Sequence, residues 1–357
     1  MTVPDSTNTA RAPKLRLAIL GCGAIVRGQH LPAAVLHPDV ELAALVDAET
    51  GRAEKLRAAY GLNCKAMNDY RQLLTEVDAI INALPNHLHF PVNVAAMQAG
   101  VHVLCEKPLA MNTTEAKTCC DIAEQNGVTL AVGMSRRFQA GHQLMELLLK
   151  HEELGRIREY DWESGSAWSW KASSSFYFSR EQAGGGVFMD VGVHALDCLF
   201  HWLGAVTQFE YQDDNWGSGI EANAILYVVH DGPSGQVRGR VRLSRTFTLK
   251  NRLLVTGEQG TASLHEDSPD EVGIRKRNGG QGLSMTVRPD SAPKGTPFYL
   301  QLDNFIQSVR GDAIPLVSGR DALAVAEFVE RCYASAKRIP EPWSEIPELE
   351  TARGVSQ

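Results

Sequence analysis

The chain reads as two α/β units in succession. The first is a doubly wound parallel sheet with helices on both faces. The second is α+β, built on an open, mainly antiparallel sheet with helices on one face. Three observations predict this. Short continuous apolar runs alternate with amphipathic helical stretches over the first third, as buried parallel strands and their crossover helices do. From about residue 205 the pattern becomes alternating runs separated by turn signals, as in antiparallel meanders. A length of 357 residues also exceeds what one hydrophobic core usually serves. The expected units span 13–136 and 137–345, with the last helices able to pack back on the first unit.

The elements follow in order. Residues 15–20 (LRLAIL) form a strand that enters a glycine turn, and a helical stretch continues to about Leu36. Strand 41–47, helix 49–60, strand 77–84, helix 90–99, strand 101–108, helix 113–126 and strand 128–133 come next. Six strands are expected by residue 133, five of them marked by apolar runs. Beyond Arg136 the texture changes: a helix over 140–150, strand-like GRIREYDWES, an aromatic and Ser-rich loop to about Arg180, then a helix over 187–203. The runs ANAILYVVH, GQVRGRVRLSRTF and NRLLVTG are separated by DGPSG and EQG, and helices over 299–310 and 319–336 finish the fold. The tail beyond Pro340 is expected to be loosely held.

Composition narrows the function classes. A net charge of −7 without a basic block argues against nucleic acid and against a polybasic membrane anchor. No apolar run reaches the roughly 18 residues of a membrane span, and the polar first dozen residues lack the apolar core of a signal peptide. Seven cysteines, an odd number without a C-x-x-C pair, point to free thiols in a reducing cytoplasm. Cys22, Cys64, Cys105 and Cys198 sit in apolar runs, where a free cysteine behaves as a small buried hydrophobe.

Gly21-x-Gly23 lies between a strand and a helix, the context that gives a glycine pair meaning. The first glycine permits the tight turn and the second lets backbone approach a pyrophosphate. Ala24 and Ile25 then open a helix whose free N–H groups and dipole favour anions. Val26 stands where the nucleotide fingerprint has Gly or Ala, a departure that loosens the helix–strand packing. Asp47 closes the second strand, where a carboxylate holds the adenosine ribose. A glycine turn without a nucleotide, and Asp47 as a plain helix cap, are the competing readings.

Further motifs carry chemistry. Leu84-Pro85-Asn86, with His89, follows the fourth strand; Glu106-Lys107-Pro108 follows the fifth. Both lie at carboxyl ends of parallel strands, where open α/β sheets bind ligands. Arg137-Phe138, Gly184-Gly185-Gly186 and Asp190-x-x-x-His194-x-x-Asp197 come later. In this order, over about 15–340, the set resembles the glucose–fructose oxidoreductase/inositol dehydrogenase (Gfo/Idh/MocA) family. The resemblance implies a Rossmann domain and a C-terminal substrate and oligomerisation domain. It implies hydride transfer between NAD or NADP and a carbinol or ketone carbon of a sugar or cyclitol, with Lys107 and His194 flanking that carbon and Asp190 beside them. It also implies a cis Lys107–Pro108 bond and homodimers or homotetramers built on the open sheet, whose outward face carries Tyr227, Val229 and Leu254.

The residues fit those roles. Asp190, His194 and Asp197 recur at i, i+4 and i+7, on one helix face. Histidine suits the hydroxyl proton because it titrates near neutrality. Asp190 can orient the imidazole or bind a substrate hydroxyl, and Lys107 can polarise the developing carbonyl. Glu106, Pro108, His89 and Arg137 are expected to line or brace the cofactor. Trp168 and Tyr177, from an aromatic segment with Trp170, Phe176 and Phe178, are expected to stack on a sugar ring; an oligomer or core patch is the alternative. The Asp/His stripe lacks a second His or Cys arm, so no metal is expected. NAD is favoured over NADP because Asp47 and Glu49 would repel a 2′-phosphate, with Arg52 the one group able to clamp it. An NAD-retaining glycoside hydrolase or eliminase and a non-catalytic nucleotide sensor are alternatives of the same fold.

Overall fold

The computed structural model describes residues 13–167, 175–215, 220–232, 235–277, 282–286 and 295–339. Trp168, Trp170 and the tail from Pro340 lie outside them. The first sheet contains β1 Leu15–Leu20, β2 Val40–Val46, β3 Lys65–Met67, β4 Ala79–Asn82, β5 His102–Cys105 and β6 Leu130–Val132. All pairings are parallel, in the order β3-β2-β1-β4-β5-β6. β3 is the strand without an apolar run: it has three residues, none fully buried.

Helices cover both faces: α1 Leu31–Leu36, α2 Thr50–Ala59, α3 His89–Gln98 and α4 Thr113–Asn126. The period of a strand sorts β1 between the faces. Leu17 and Ile19 enter one core and Ala18 and Leu20 the other. α4 is set by its ends: the Asn112 side chain accepts the Glu115 N–H at 2.9 Å, and Gly127 closes it at φ +63°. A π turn, Val26–His30, precedes α1. It begins at Val26, which is fully buried where the fingerprint would place a glycine.

After α5 Ala140–Lys150 the second sheet begins. It comprises β7 Ile157–Gly165, β8 Val206–Asp213, β9 Asn223–Gly232, β10 Gly235–Ser244, β11 Arg252–Gly257, β12 Gly260–His265, β13 Glu271–Lys276, β14 Leu283–Thr286 and β15 Lys337–Arg338. The order is β14-β13-β12-β11-β7-β10-β9-β8-β15, antiparallel except for β7 with β10 and β8 with β15. α6 Arg180–Ala183, α7 Val193–Leu203, α8 Pro297–Arg310 and α9 Gly319–Ala334 complete the chain. Tyr160, Trp162, Leu226, Val241 and Val255 share one core with residues of α5, α7 and α9. Trp162 stacks on Trp202 of α7 at 6.2 Å.

The last two helices close the fold differently. α9 starts with a reciprocal Ser318–Asp321 capping box, and Val317 just before it accepts the Val132 N–H. α8 returns to the first unit, against α1 and the π turn, where Tyr299, Leu302, Phe305 and Ile306 join the core that holds Leu17 and Ile19. Among the described residues one helical run, Arg180–Leu203, is long and apolar enough to cross a membrane, and most of it is buried inside the fold. All seven cysteines are buried and unpaired.

Candidate active site

A cleft of about 510 Å³ lies over the carboxyl ends of β1, β2, β4 and β5, where the strand order reverses, and the second sheet's helices form its far wall. Gly21, Gly23, Ala24, Ile25, Asp47, Arg52, Leu84, Pro85, Asn86, His89, Glu106, Lys107, Tyr177, Asp190 and His194 all line it. At Gly21 the backbone has φ +92°, and a β-carbon would come within 2.4 Å of the Ala83 carbonyl. At Gly23 a β-carbon would meet nothing within 4 Å. The first glycine therefore serves the turn, and the second leaves room beside it.

Asp47 does not cap α2, whose N-cap is Glu49. Its Oδ2 accepts the Cys22 N–H at 2.9 Å, tying the end of β2 to the glycine turn. Its Oδ1 accepts the Glu49 N–H at 3.0 Å. Arg52 Nη1 lies 3.3 Å from both Asp47 oxygens, and Nη2 lies 2.9 Å from Glu49 Oε1. Burial and Asp47 push the Cys22 thiol up to about 12, so it stays protonated.

At the other end of the cleft, Lys107 Nζ donates to Asp190 Oδ1 at 2.6 Å and to the Asp190 carbonyl at 2.8 Å. Arg245 Nη2 donates to Asp190 Oδ2 at 2.5 Å. Burial opposes the Asp190 charge, but the two cations outweigh it and hold the carboxyl well below the usual range. Burial likewise opposes the Lys107 charge, and Asp190 and Glu106 overcome it, so the ammonium is raised above its ordinary value. His194 moves the other way: burial first, then Lys107 and Arg136, push its imidazole well below the ordinary value. The result is a cationic lysine and a neutral histidine around one carboxylate.

A second layer braces these groups. Glu106 Oε2 accepts the Lys107 N–H at 3.2 Å, and Oε1 lies 2.7 Å from Nε2 of buried His30. His89 is held between the Pro108 carbonyl (2.6 Å) and the Leu84 carbonyl (2.8 Å). The Lys107–Pro108 peptide is cis. Asn86 Nδ2 donates to the Ala183 carbonyl at 2.8 Å, joining the two walls.

Several expectations need correction. Arg137 is not in the cleft: its guanidinium is buried on Asp197 at 2.8 and 2.6 Å and also reaches the Leu316 carbonyl. Its neighbour Arg136 lines the cleft instead. Asp197, fully buried, is engaged by that bond, so the Asp/His/Asp stripe does not present three groups to one site. Asp190 itself lies in a π turn, Phe188–Gly192, ahead of α7. Pro108 lines a neighbouring cavity and touches the cleft only through its carbonyl on His89. The triple glycine packs inward: β-carbons at Gly185 and Gly186 would collide with the Tyr333 hydroxyl and the Glu221 carbonyl. Trp168 lies outside the described residues.

Sequence reasoning missed Arg245, His30, Arg136 and Phe298. Phe298 lines the cleft from α8 and packs edge-on to His30 at 4.9 Å. A buried charge partner for Asp190 was the one signal available, and three arginines of GRVRLSR compete for it in sequence.

The glycine turn, the opening beside Gly23, the carboxylate at the end of β2 and the cleft along the strand ends fit a dinucleotide. The comparisons agree. Residues 15–134 match the model of an oxidoreductase family with an NAD-binding Rossmann fold, and residues 147–339 match that family's C-terminal α/β domain. The chain belongs to the Gfo/Idh/MocA oxidoreductase family and is an NAD(P)-dependent dehydrogenase. It is 26% identical to a D-glucoside 3-dehydrogenase of Escherichia coli, over 90% of this chain and 95% of the relative. It is 24% identical to an inositol 2-dehydrogenase of Rhizobium meliloti, over 91% and 98%. The WlbA dehydrogenase of Bordetella pertussis, solved with NADH and UDP-GlcNAcA, superposes with a TM-score of 0.77 at 22% identity, over 91% of this chain and 96% of that one.

Proposed function

We propose that the cleft interconverts a secondary alcohol and a ketone on a sugar or cyclitol, with Lys107, Asp190 and His194 acting at the reacting carbon. The observation that carries this is the triad's charge state: Asp190 fixes a cationic Lys107 at 2.6 Å while His194 stays neutral in the same cleft. The nicotinamide supplies acceptance or return of the hydride. Gly21, Gly23, Ala24, Ile25 and Asp47 would hold its dinucleotide, with Leu84, Pro85, Asn86 and His89 along the strand ends. In oxidation, neutral His194 accepts the hydroxyl proton as the carbinol carbon gives up its hydride. Lys107 donates to the oxygen on which negative charge grows, strongest as the bond order changes. Asp190 keeps Lys107 in place, and Tyr177 with Phe176 offers an aromatic wall to the ring.

NAD is the cofactor this site favours, since Arg52 is already neutralised by Asp47 and Glu49. The names of the glucoside and inositol dehydrogenases support the substrate class. Seven buried free thiols support a reducing, cytoplasmic setting. The open sheet's second face, bearing Tyr227, Val229 and Leu254, is the surface on which we place a homodimer or homotetramer. The test is a screen of sugars, inositols and sugar nucleotides with NAD and NADP, followed by reduced-nicotinamide absorbance. Turnover of at least one polyol, lost in Lys107→Ala, is expected; no turnover of any would overturn the reading.

A further inference from the structure

A second chamber, about 130 Å³, adjoins the cleft, and Arg136 and Gln139 line both. Its other polar walls are His142, Trp162, His265 and Glu266. Four buried nitrogens on these walls have no hydrogen-bond partner: Arg136 Nη1, Trp162 Nε1 and both ring nitrogens of His142. His142 is 94% buried, at 6% exposure. Buried polar groups in native proteins are nearly always paired, so four orphans around one cavity call for a shared partner. Three of the groups bring N–H donors. The indole N–H only donates, the guanidinium only donates, and a neutral imidazole donates once and accepts once.

The chemistry of the walls selects that partner. The Arg136 guanidinium lies over the Trp162 ring, 5.2 Å from its centroid, which fixes its plane. Arg52 has both Nη atoms engaged by carboxylates, whereas Arg136 spends only Nη2 on Glu266 Oε1 (2.8 Å), whose Oε2 takes the Ser164 hydroxyl at 2.9 Å, and keeps Nη1. The His142 ring packs 5.9 Å from Trp162. Gln139 and His142 also belong to the start of α5, an eleven-residue helix whose N-cap makes no side-chain bond to its first turn. The Gly141 N–H of that first turn is already taken by the carbonyl of Pro269, another chamber wall, at 2.9 Å, so the side chains carry the donor set. Donors from a guanidinium, an indole and an imidazole suit a small oxyanion.

We propose that this chamber is an oxyanion subsite that holds the carboxylate of a sugar-acid substrate. The proposal rests on the dehydrogenase reading of the adjoining cleft, because Arg136 joins the chamber to the pocket holding Lys107 and His194. The same chemistry would also accept free inorganic phosphate, which the experiment separates.

The test is calorimetric titration of the full chain, with NAD present, using methyl glucuronide, methyl glucoside and inorganic phosphate, alongside NAD-linked turnover. Methyl glucuronide is expected to bind at least about tenfold more tightly than methyl glucoside, a difference of about 1.4 kcal/mol. Trp162→Phe, which removes one N–H and keeps a ring, and His142→Leu are each expected to erase most of that preference by raising the glucuronide Kd and KM while its kcat changes little. Circular dichroism and an unchanged methyl glucoside Kd in Trp162→Phe would establish that the variant is folded. Equal binding of the acid and the neutral sugar overturns the subsite, as does a preference that survives both variants. Phosphate binding that is lost in the variants, without any preference for the sugar acid, overturns the assignment to substrate. Tight glucuronide binding without turnover of any sugar leaves the subsite standing and overturns the dehydrogenase reading instead.

Discussion

Arg52 Nη1 sits 3.3 Å from each oxygen of Asp47, so the nearest cation to the end of β2 is already committed to the carboxylate there. A 2′-phosphate would have to pull Arg52 away from both Asp47 and Glu49 and then lie beside two carboxylates left without their counter-charge. NAD is therefore expected to exceed NADP in kcat/KM by about tenfold or more. Asp47→Ala should narrow that ratio, and Arg52→Ala should leave NAD favoured. The check is kcat/KM for both cofactors in all three proteins; a wild type that prefers NADP and loses the preference with Arg52→Ala would make Arg52 the selector.

The two glycines of the turn should separate stability from binding. Gly21→Ala drives a β-carbon against the Ala83 carbonyl in a left-handed conformation, and is expected to cost about 3 kcal/mol or more in urea unfolding. Gly23→Ala meets nothing and should fold with nearly wild-type stability while weakening NAD binding. Equal effects of the two on NAD affinity at full folding would contradict this division.

Lys107→Ala and His194→Ala should each lower kcat about a hundredfold or more, with cofactor Kd within a few-fold. Arg245→Leu is expected to act through Asp190, freeing one oxygen of the carboxylate that fixes Lys107. It should lower kcat less than Lys107→Ala does. Near-normal turnover in His194→Ala would remove that residue from the chemistry.

Buried histidines set an acid limit. His142 is pushed down to about 3 by burial and Arg136, and His194 is also well below its ordinary value. A histidine neutral in the fold and protonated when unfolded contributes stability above pH 6.5 that is lost as pH falls toward the folded value. At pH 4.5, two units below 6.5, His142 alone should cost about 2.7 kcal/mol. Thermal unfolding of wild type and His142→Leu across pH 7.5 to 4.5 checks this: the variant's Tm should fall less steeply. The same depression at His194 predicts no loss of kcat/KM near pH 6.5.

Local chemistry made most of the fold legible. β1 matches its apolar run residue for residue, and α4 runs over the expected 113–126, where Asn112 caps it and Gly127 closes it at its own ends. β3 escaped because an edge strand of three half-exposed residues leaves no hydrophobic trace. In the site, residues on strand ends were readable, since position along the sheet determines their neighbours. Arg136 and Arg137 are indistinguishable by pattern because adjacent residues of a tight turn point apart, and only the buried Asp197 decides which one turns inward. Arg245 and Phe298 arrive from distant chain, more than 50 and 100 residues from the groups they meet, and no local pattern announces that.

The return of α8 to the first unit's core makes the nucleotide-binding half a non-portable module. Its sheet is continuous in sequence, but one of its two faces is finished by residues 297–310. Leu302, Phe305 and Ile306 supply that cover, and Phe298 reaches on to the wall of the cleft. A fragment ending at Arg136 would display a sticky apolar stripe to solvent and should aggregate. Chimeras that exchange cofactor halves between relatives must carry this helix along with the donor's first strand, or the graft will inherit a mismatched lining.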